Sequence, residues 1–425
     1  MSFRDTRYTS GNMQNAPVSH FIGLDVGTSA VRCVVGMVDA HDGSRPSIIG
    51  HGSAPNIGTR KGAVVHVDDV AEAIIQAVTD AERVSGVQIN RATVNVNGSH
   101  IEGIDSKGVI AISSNNREIT ADDRMRVEEA ATVIKMPANR EIIQFFAKNY
   151  SLDGQRNIKD PVGMNGVRLE VDAHLVTAAS PNMRNLDMAL EKAQLVPTHH
   201  TLSSLASAEA VLNRQQKEAG TVVLDIGAGT TNLIVIEDGE VQHVAILPIG
   251  GMHITNDLAI GLKTDLEVAE QVKVAHATLV DTTKAVASVK YNNHMYQFPM
   301  DDVKMIVEAR VEELFEYVNK ELVRIHRARK LPGGVVLAGG TAKLPGLSEF
   351  ARDQLELPAR VGKLQSVSGL ADTVDDPSYY TVIGLMLLDM LLLPADNNGQ
   401  GQSNFGQPNN KAFGFVEGLL GRFRK

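Results

Sequence analysis

The sequence predicts an α/β protein of two domains, with an extra segment inserted into the first and a short amphipathic helix at the carboxyl end. Three observations carry that prediction. The run Gly23-Leu24-Asp25-Val26-Gly27-Thr28-Ser29 returns 200 positions later as Val223-Leu224-Asp225-Ile226-Gly227-Ala228-Gly229-Thr230-Thr231. A third apolar strand, Val335-Val336-Leu337-Ala338, runs into Gly339-Gly340-Thr341. The final residues, 411–425, sort onto one apolar and one basic face. With 425 residues, the chain is long enough for two domains or four subdomains.

Composition narrows the classes. Hydrophobic residues at 43% and charged residues at 21% fit an ordinary soluble globular protein. Tryptophan is absent and aromatics are only 4%, which argues against stacking platforms for single-stranded nucleic acid. A net charge of -9 opposes a nucleic-acid partner, because the basic cluster is confined to the last few residues. Cys33 is the only cysteine, so neither an intramolecular disulfide nor a cysteine zinc site can form, and a buried strand position is expected for it. The amino-terminal stretch lacks the apolar run of a signal peptide. The longest apolar stretch, Val382 to Leu393, contains Asp389 and falls short of the roughly 20 residues a membrane span needs; it reads as a buried helix.

Taken in order, residues 1–19 are polar and aperiodic and read as a disordered arm. Residues 21–38 read as two strands about a tight turn at Gly27-Thr28-Ser29. Residues 68–85 read as a helix, with Ala71, Ile74, Ile75 and Val78 at helical spacing. Residues 99–175 change character and read as an inserted subdomain of short strands with a charged helix near Thr120 to Lys135. Helical patterns resume at 201–215, and a second strand–turn–strand runs from Thr221 to Val244. Residues 255–277 and 300–330 read as helices, the latter with Val303, Val307, Val311, Leu314 and Val318 on one face. Residues 394–410, rich in Asn, Gln and Gly, read as a flexible linker.

The repeated Asp-X-Gly turns carry the chemistry. Each sets an acid at the end of a buried strand, followed by small residues whose backbone N–H groups can approach an anion, with Thr or Ser hydroxyls added. Two such hairpins face to face clasp a polyphosphate from both sides. Asp25 and Asp225 then hold Mg²⁺ through its water shell, since Mg²⁺ gives up water reluctantly. Gly339-Gly340 at the end of a strand lets a flat adenosine lie against the backbone. A P-loop, GxxxxGK[ST], is absent.

These three elements resemble the actin, sugar-kinase and heat-shock chaperone superfamily. The stretch Gly250-Gly251-Met252-His253-Ile254-Thr255-Asn256-Asp257-Leu258-Ala259, with Gly261 to Thr264 and Ala269 to Lys273, is similar to FtsA, the family of bacterial cell-division actin homologues. The resemblance covers roughly residues 20–393 and the tail. It implies an actin-like two-domain ATPase fold: 20–98 and 176–215 as domain I, 99–175 as the FtsA-type inserted subdomain, 216–253 and 335–373 as the core of domain II, 254–334 as its small subdomain, and 374–393 as a helix returning to domain I.

The resemblance also implies roles. Asp25, Gly27, Thr28 and Ser29 belong to the first phosphate hairpin, and Asp225, Gly227, Gly229, Thr230 and Thr231 to the second. Gly339, Gly340 and Thr341 lie beside the adenosine of ATP. Glu270 and Lys273, one helical turn apart, are candidates for ribose or base contacts. Arg310 and Glu313 match the face that receives the C-terminal peptide of FtsZ, the tubulin-like ring protein. Other division proteins and further copies of the chain, in filaments, are implied partners, and the division site on the cytoplasmic face of the membrane is the implied location. Related ATPases carry Gln or Glu where this chain has Ser203-Ser204, so ATP hydrolysis is expected to be slow or absent. A type IV pilus actin-like protein and a small-molecule kinase on the same fold are the alternatives; the kinase needs a general base, and no carboxylate follows Thr201 until Glu209.

On a helical wheel, Ala412, Phe413, Phe415, Val416, Leu419, Leu420 and Phe423 fill an arc of roughly 160°. Lys411, Glu417, Arg422, Arg424 and Lys425 lie opposite. That arrangement predicts a helix lying on an anionic membrane surface.

Overall fold

The computed structural model describes residues 20–38, 46–113, 117–365 and 367–392. The readings of the arm 1–19, the linker 394–410 and the tail 411–425 fall outside these residues.

Two sheets are built to one plan. In the first, Ser47–Pro55, Ala30–Met37 and His20–Val26 form an antiparallel meander, and Arg91–Val96 and Val196–Leu202 extend it in parallel from His20–Val26. In the second, Glu240–Leu247, Thr231–Glu237 and Thr221–Ile226 form the meander, and Gly334–Ala338 and Ala359–Val361 extend it in the same way. A short strand, Ser368–Gly369, adds an edge to the first sheet. Every residue of Thr221–Ile226 is buried, as expected of a central strand covered on both faces. One apolar core is shared by the two sheets, joining Leu24 and Val94 of the first to Val223, Ile234 and Val336 of the second, and another packs Val222, Leu224 and Leu337 of the second sheet with Val303 and Val307. Cys33 is fully buried, and burial pushes its thiol up to about 12.

The helix Val67–Ser85 covers the first sheet. It opens with Asp68 and Asp69, which favour the positive end of the helix dipole, and stops at Gly86 in the left-handed conformation. The helix Ser203–Val211 lies between the two sheets and is buried almost throughout. The closing helix, Tyr380–Leu392, packs on that helix and on His20–Val26. A Cβ on Gly384 would stand 1.8 Å from the Ala206 carbonyl oxygen, so glycine is what lets the two helices meet. Asp389, buried in this apolar helix, accepts from the Ile22 N–H at 3.0 Å and from the Thr93 hydroxyl at 2.7 Å. Those bonds satisfy a carboxylate that would otherwise be costly to bury.

The inserted segment corrects one expectation. Its strands are long, not short: Glu102–Ala111, Arg168–Ala179 and Arg140–Leu152 span 10, 12 and 13 residues, with Gln155–Ile158 at the edge. Polar residues on the exposed face interrupt the apolar pattern, and two register shifts in the central pairing break the alternation. The charged helix is present as Ala121–Thr132, started by a reciprocal Thr120–Asp123 capping box.

This inserted sheet meets the second domain through two histidines. His174, fully buried, holds Asp105 Oδ1 with Nδ1 at 2.7 Å, and its Nε2 accepts from the Val244 N–H at 3.1 Å. Its ring lies edge-on to His243, which bonds Glu321 at 3.0 Å. The stretch expected as a small subdomain, 254–334, takes in most of Gly251–Gly261, then Leu266–His276, the hairpin Val286–Tyr291 with His294–Pro299, and the long helix Met300–Arg324. The helical pattern over 255–277 is thus two helices, broken near Lys263, whose φ is 53°.

Candidate functional site between two aspartate hairpins

The two Asp-X-Gly turns have the same geometry. Gly27 N–H donates to Ala30 O at 3.1 Å, and Gly227 N–H donates to Thr230 O at 2.9 Å. Val26 pairs with Val31, and Ile226 with Thr231. Asp25 therefore stands opposite Arg32, and Asp225 opposite Asn232. The turns face each other closely: a Cβ on Gly229 would lie 2.9 Å from Thr28 Oγ1.

Both aspartates are buried, and each is held by a relay that ends on the same helix. Asn95 Nδ2 donates to Asp25 Oδ1 at 2.7 Å and to Ser203 Oγ at 3.1 Å, while Asn95 Oδ1 accepts from Val26 N–H at 2.7 Å. Thr381 donates to Asp225 Oδ2 at 3.1 Å and shares a 2.8 Å hydrogen bond with Ser207. Asn232 Nδ2 adds a 3.3 Å bond to Asp225. Burial pushes the Asp25 carboxyl up to about 7, with the Arg32 charge opposing and the Asp225 charge adding to the rise. Burial raises Asp225 as well, against hydrogen bonds from Thr381, Asn232 and Ser207. Two facing carboxylates of this kind ionise together only beside a countercharge. No group of three or more His, Cys, Asp or Glu side chains able to hold a metal exists among the described residues. The two carboxylates could hold a Mg²⁺ through its waters, several of which that ion usually keeps.

The other expected residues fall around this centre. Gly339, with φ of 82°, lies flat against Asp225; a Cβ there would stand 2.5 Å from Oδ1. Gly340 opens on space, its Cβ direction meeting only Ser378 Cβ at 3.8 Å. Thr341 Oγ1 donates to Gly227 O at 3.2 Å. Ser29 is exposed, and Thr28 Oγ1 accepts from Gly62 N–H at 3.2 Å. Thr230 is buried, with Asn97 donating to its hydroxyl at 3.1 Å, and Thr231 donates to Ile249 O at 2.8 Å. Glu270 and Lys273 pair at 2.6 Å and close on Thr255, while Lys273 also reaches Gly251 O at 3.3 Å. Gly251 in turn donates to Gly227 O at 2.9 Å, which ties this cluster to the second turn. Arg310 and Glu313 lie on the Met300–Arg324 helix, away from the turns; Arg310 grips both Asp257 and Glu313.

Sequence reasoning missed Arg32 and Asn95. Arg32 sits over the Tyr379 ring at 5.2 Å, and its Nε has no hydrogen-bond partner. The repeat contained the signal: Arg32 follows Asp25 at the interval at which Asn232 follows Asp225. Asn95 comes from a strand that the motif does not include. Glu209 accepts from Lys217 at 2.6 Å, and Ser203 and Ser204 are buried, so this segment shows none of the free carboxylate a kinase base requires.

Residues 222–384 match the family described as Cell division protein FtsA, and residues 98–177 match the SHS2 domain inserted in FTSA. Cell division protein FtsA of Pseudomonas aeruginosa is 36% identical over 371 residues, covering 86% of this chain and 88% of that protein. The Bacillus subtilis protein of the same name is 37% identical over 371 residues, covering 86% and 82%. The Escherichia coli K12 protein is 30% identical over 378 residues, covering 86% and 89%. Among solved structures, a PilM–PilN type IV pilus biogenesis complex aligns with a TM-score of 0.64 at 18% identity, covering 88% of this chain and 99% of that one. MreB 5 of Spiroplasma citri bound to AMPPNP aligns at 0.50 and 14% identity, covering 87% and 96%. These two share the fold. The duplicated sheets, the facing aspartate turns, the inserted sheet and the relatives agree: the chain belongs to the FtsA family of actin-like cell division proteins.

Proposed function

We propose that this chain binds Mg-ATP between the two aspartate hairpins and, in that state, assembles into filaments that tie the FtsZ ring to the cytoplasmic face of the membrane at the division site. The observation that carries the nucleotide reading is the pair of matching turns, each with a buried aspartate, beside the open face of Gly340. Asp25 and Asp225 would hold Mg²⁺ through water, and the cation would supply the countercharge that lets both ionise. The turn N–H groups with Thr28 and Ser29 would take phosphate oxygens, and Gly340 and Thr341 would border the adenosine. The AMPPNP held by the MreB 5 structure supports this choice of ligand. Hydrolysis is slow in this reading, because Ser203 and Ser204 are short, buried and unable to act as a base.

Partners follow from the family. The C-terminal peptide of FtsZ docks on the small subdomain near Arg310 and Glu313, other division proteins meet the inserted sheet, and the tail 411–425 lies on anionic lipid.

The test of the nucleotide site is Gly340→Asp. The added side chain has room in the folded protein, since only Ser378 Cβ is near at 3.8 Å, so the fold should survive. It places a carboxylate where phosphates and adenosine are expected, and calorimetry should show ATP affinity reduced by about 100-fold or more. Wild-type ATP affinity in a folded Gly340→Asp protein would place the nucleotide elsewhere.

A further inference from the structure

A third, smaller hairpin stands between the two aspartate hairpins. Thr59–Arg60 pairs with Ala63–Val64, and Lys61 and Gly62 form the tip with φ of 48° and 76°. Positive φ at both tip positions is what a type I′ turn requires, and Asn-Gly is its usual occupant. Here the first position is a lysine.

The tip is clamped on several sides. Gly62 N–H donates to Thr28 Oγ1 of the first aspartate turn at 3.2 Å. Gly62 lies against Gly98, where a Cβ would come within 2.7 Å of the Gly98 Cα. Lys61 Cα is 3.2 Å from the place a Cβ on Gly229, in the second aspartate turn, would occupy. Ser99 N–H donates to Lys61 O at 3.3 Å. The base is fixed to the first turn as well, since Asn56 Nδ2 donates to Gly27 O at 2.7 Å and Asn56 N–H to Ser29 O at 3.0 Å.

The Lys61 backbone is therefore locked where the two turns meet, one from each domain. Its side chain is exposed and makes no ion pair among the described residues. Its charge reaches the second domain: together with burial and Arg310, it lowers His253, in the first turn of the Gly251–Gly261 helix. An ammonium on a clamped tip, beside two turns suited to phosphate, lacks only an anion.

We propose that Lys61 contacts the terminal phosphate of a bound nucleoside triphosphate, so that the Lys61-Gly62 hairpin is the element that distinguishes triphosphate from diphosphate. This rests on the reading that a nucleotide lies between the aspartate hairpins. A triphosphate then reaches the lysine tip as well as both turns. A diphosphate leaves the lysine to solvent.

The test is Lys61→Asn in the full chain. It removes the charge and restores the Asn-Gly pair that type I′ turns favour, so the hairpin should be retained. Dissociation constants for ATP and ADP with Mg²⁺ are measured by calorimetry. ATP binding should weaken by about 10- to 100-fold, as for loss of a charged hydrogen bond, with ADP binding changed less than about twofold. Lys61→Arg should recover most of the discrimination. An ATP-to-ADP affinity ratio equal to that of wild type, whether both affinities hold or both fall, overturns the inference and leaves the nucleotide site standing. A wild-type protein that binds neither nucleotide overturns the nucleotide reading and this inference with it.

Discussion

Asp25 and Asp225 occupy equivalent places on two sheets, yet they are held by different chemistry. Asn95 grips the first, whereas Thr381 and Asn232 grip the second. The repeat made the aspartates and their glycines readable from sequence, because a short motif encodes a local turn. Asn95 and Thr381 were not readable, since they arrive from a neighbouring strand and from the closing helix, and only the folded chain brings them to the carboxylates. Arg310 shows a second limit. Its spacing to Glu313 is visible in sequence, but its 2.9 Å bond to Asp257 on another helix is not. That bond changes the experiment of choice. Arg310→Glu would set three carboxylates together, the new one with Asp257 and Glu313, and loosen two helices, confusing docking with folding. Glu313→Ala leaves Arg310 on Asp257. If the FtsZ peptide docks here, Glu313→Ala should weaken peptide binding by about tenfold and leave ATP affinity unchanged. An unaltered peptide affinity would remove Glu313 from the docking site.

Among elements, a helix with a continuous apolar face was found close to its true position at Val67–Ser85, while the pattern read over 300–330 is helical only as far as Arg324. The strands of the inserted sheet were underestimated, because a strand with one face in water shows only every second apolar residue and a bulge erases even that. The junction between this sheet and the second domain was invisible in sequence, being made by His174 and His243 from distant strands. Burial holds His174 below its ordinary value, against the hydrogen bond that it donates to Asp105 and with the His243 charge adding to the depression. The unfolded chain therefore binds a proton near pH 6.5 that the folded chain refuses. Stability contributed by this neutral histidine is present above that pH and is lost as the pH falls, by at most about 1.4 kcal/mol per unit. His174→Gln can still accept from Val244 and cannot titrate. Denaturant unfolding between pH 7 and pH 5 should show a shallower loss of stability in His174→Gln than in wild type. Equal slopes would mean that His174 does not set the acid sensitivity of this junction.

At the scale of the molecule, the duplication was the most readable feature, since two copies of one motif imply two copies of one sheet. The tail reading rests on helical periodicity alone, and it falls outside the described residues. On the proposed reading, the tail's energetics are those of a weak anchor. Large apolar side chains add about 1–2 kcal/mol each on partial burial, and cations about 1 kcal/mol each near anionic lipid. Ordering the segment costs roughly 1 kcal/mol per residue. Single chains should therefore attach reversibly, and filaments firmly, because each later tail binds as an intramolecular event. Phe423→Glu should release the protein from anionic liposomes in a pelleting assay. Sedimentation at the wild-type level would show that the anchor is misplaced.

The bond between Asp389 and Ile22 has a mechanical consequence. The closing helix is described as far as Leu392, and residues 393–425 follow it in the chain. Tension on the chain beyond Leu392 is delivered to the first domain, and Asp389 hands it to Ile22 in the strand His20–Val26. That strand also carries Asp25. Such a load arrives, along one pleated strand, at Asp25, and through Thr381 on the same helix it arrives at Asp225 as well. Both aspartates thus share one mechanical footing, and a pull on the closing helix is felt on either side of the cleft.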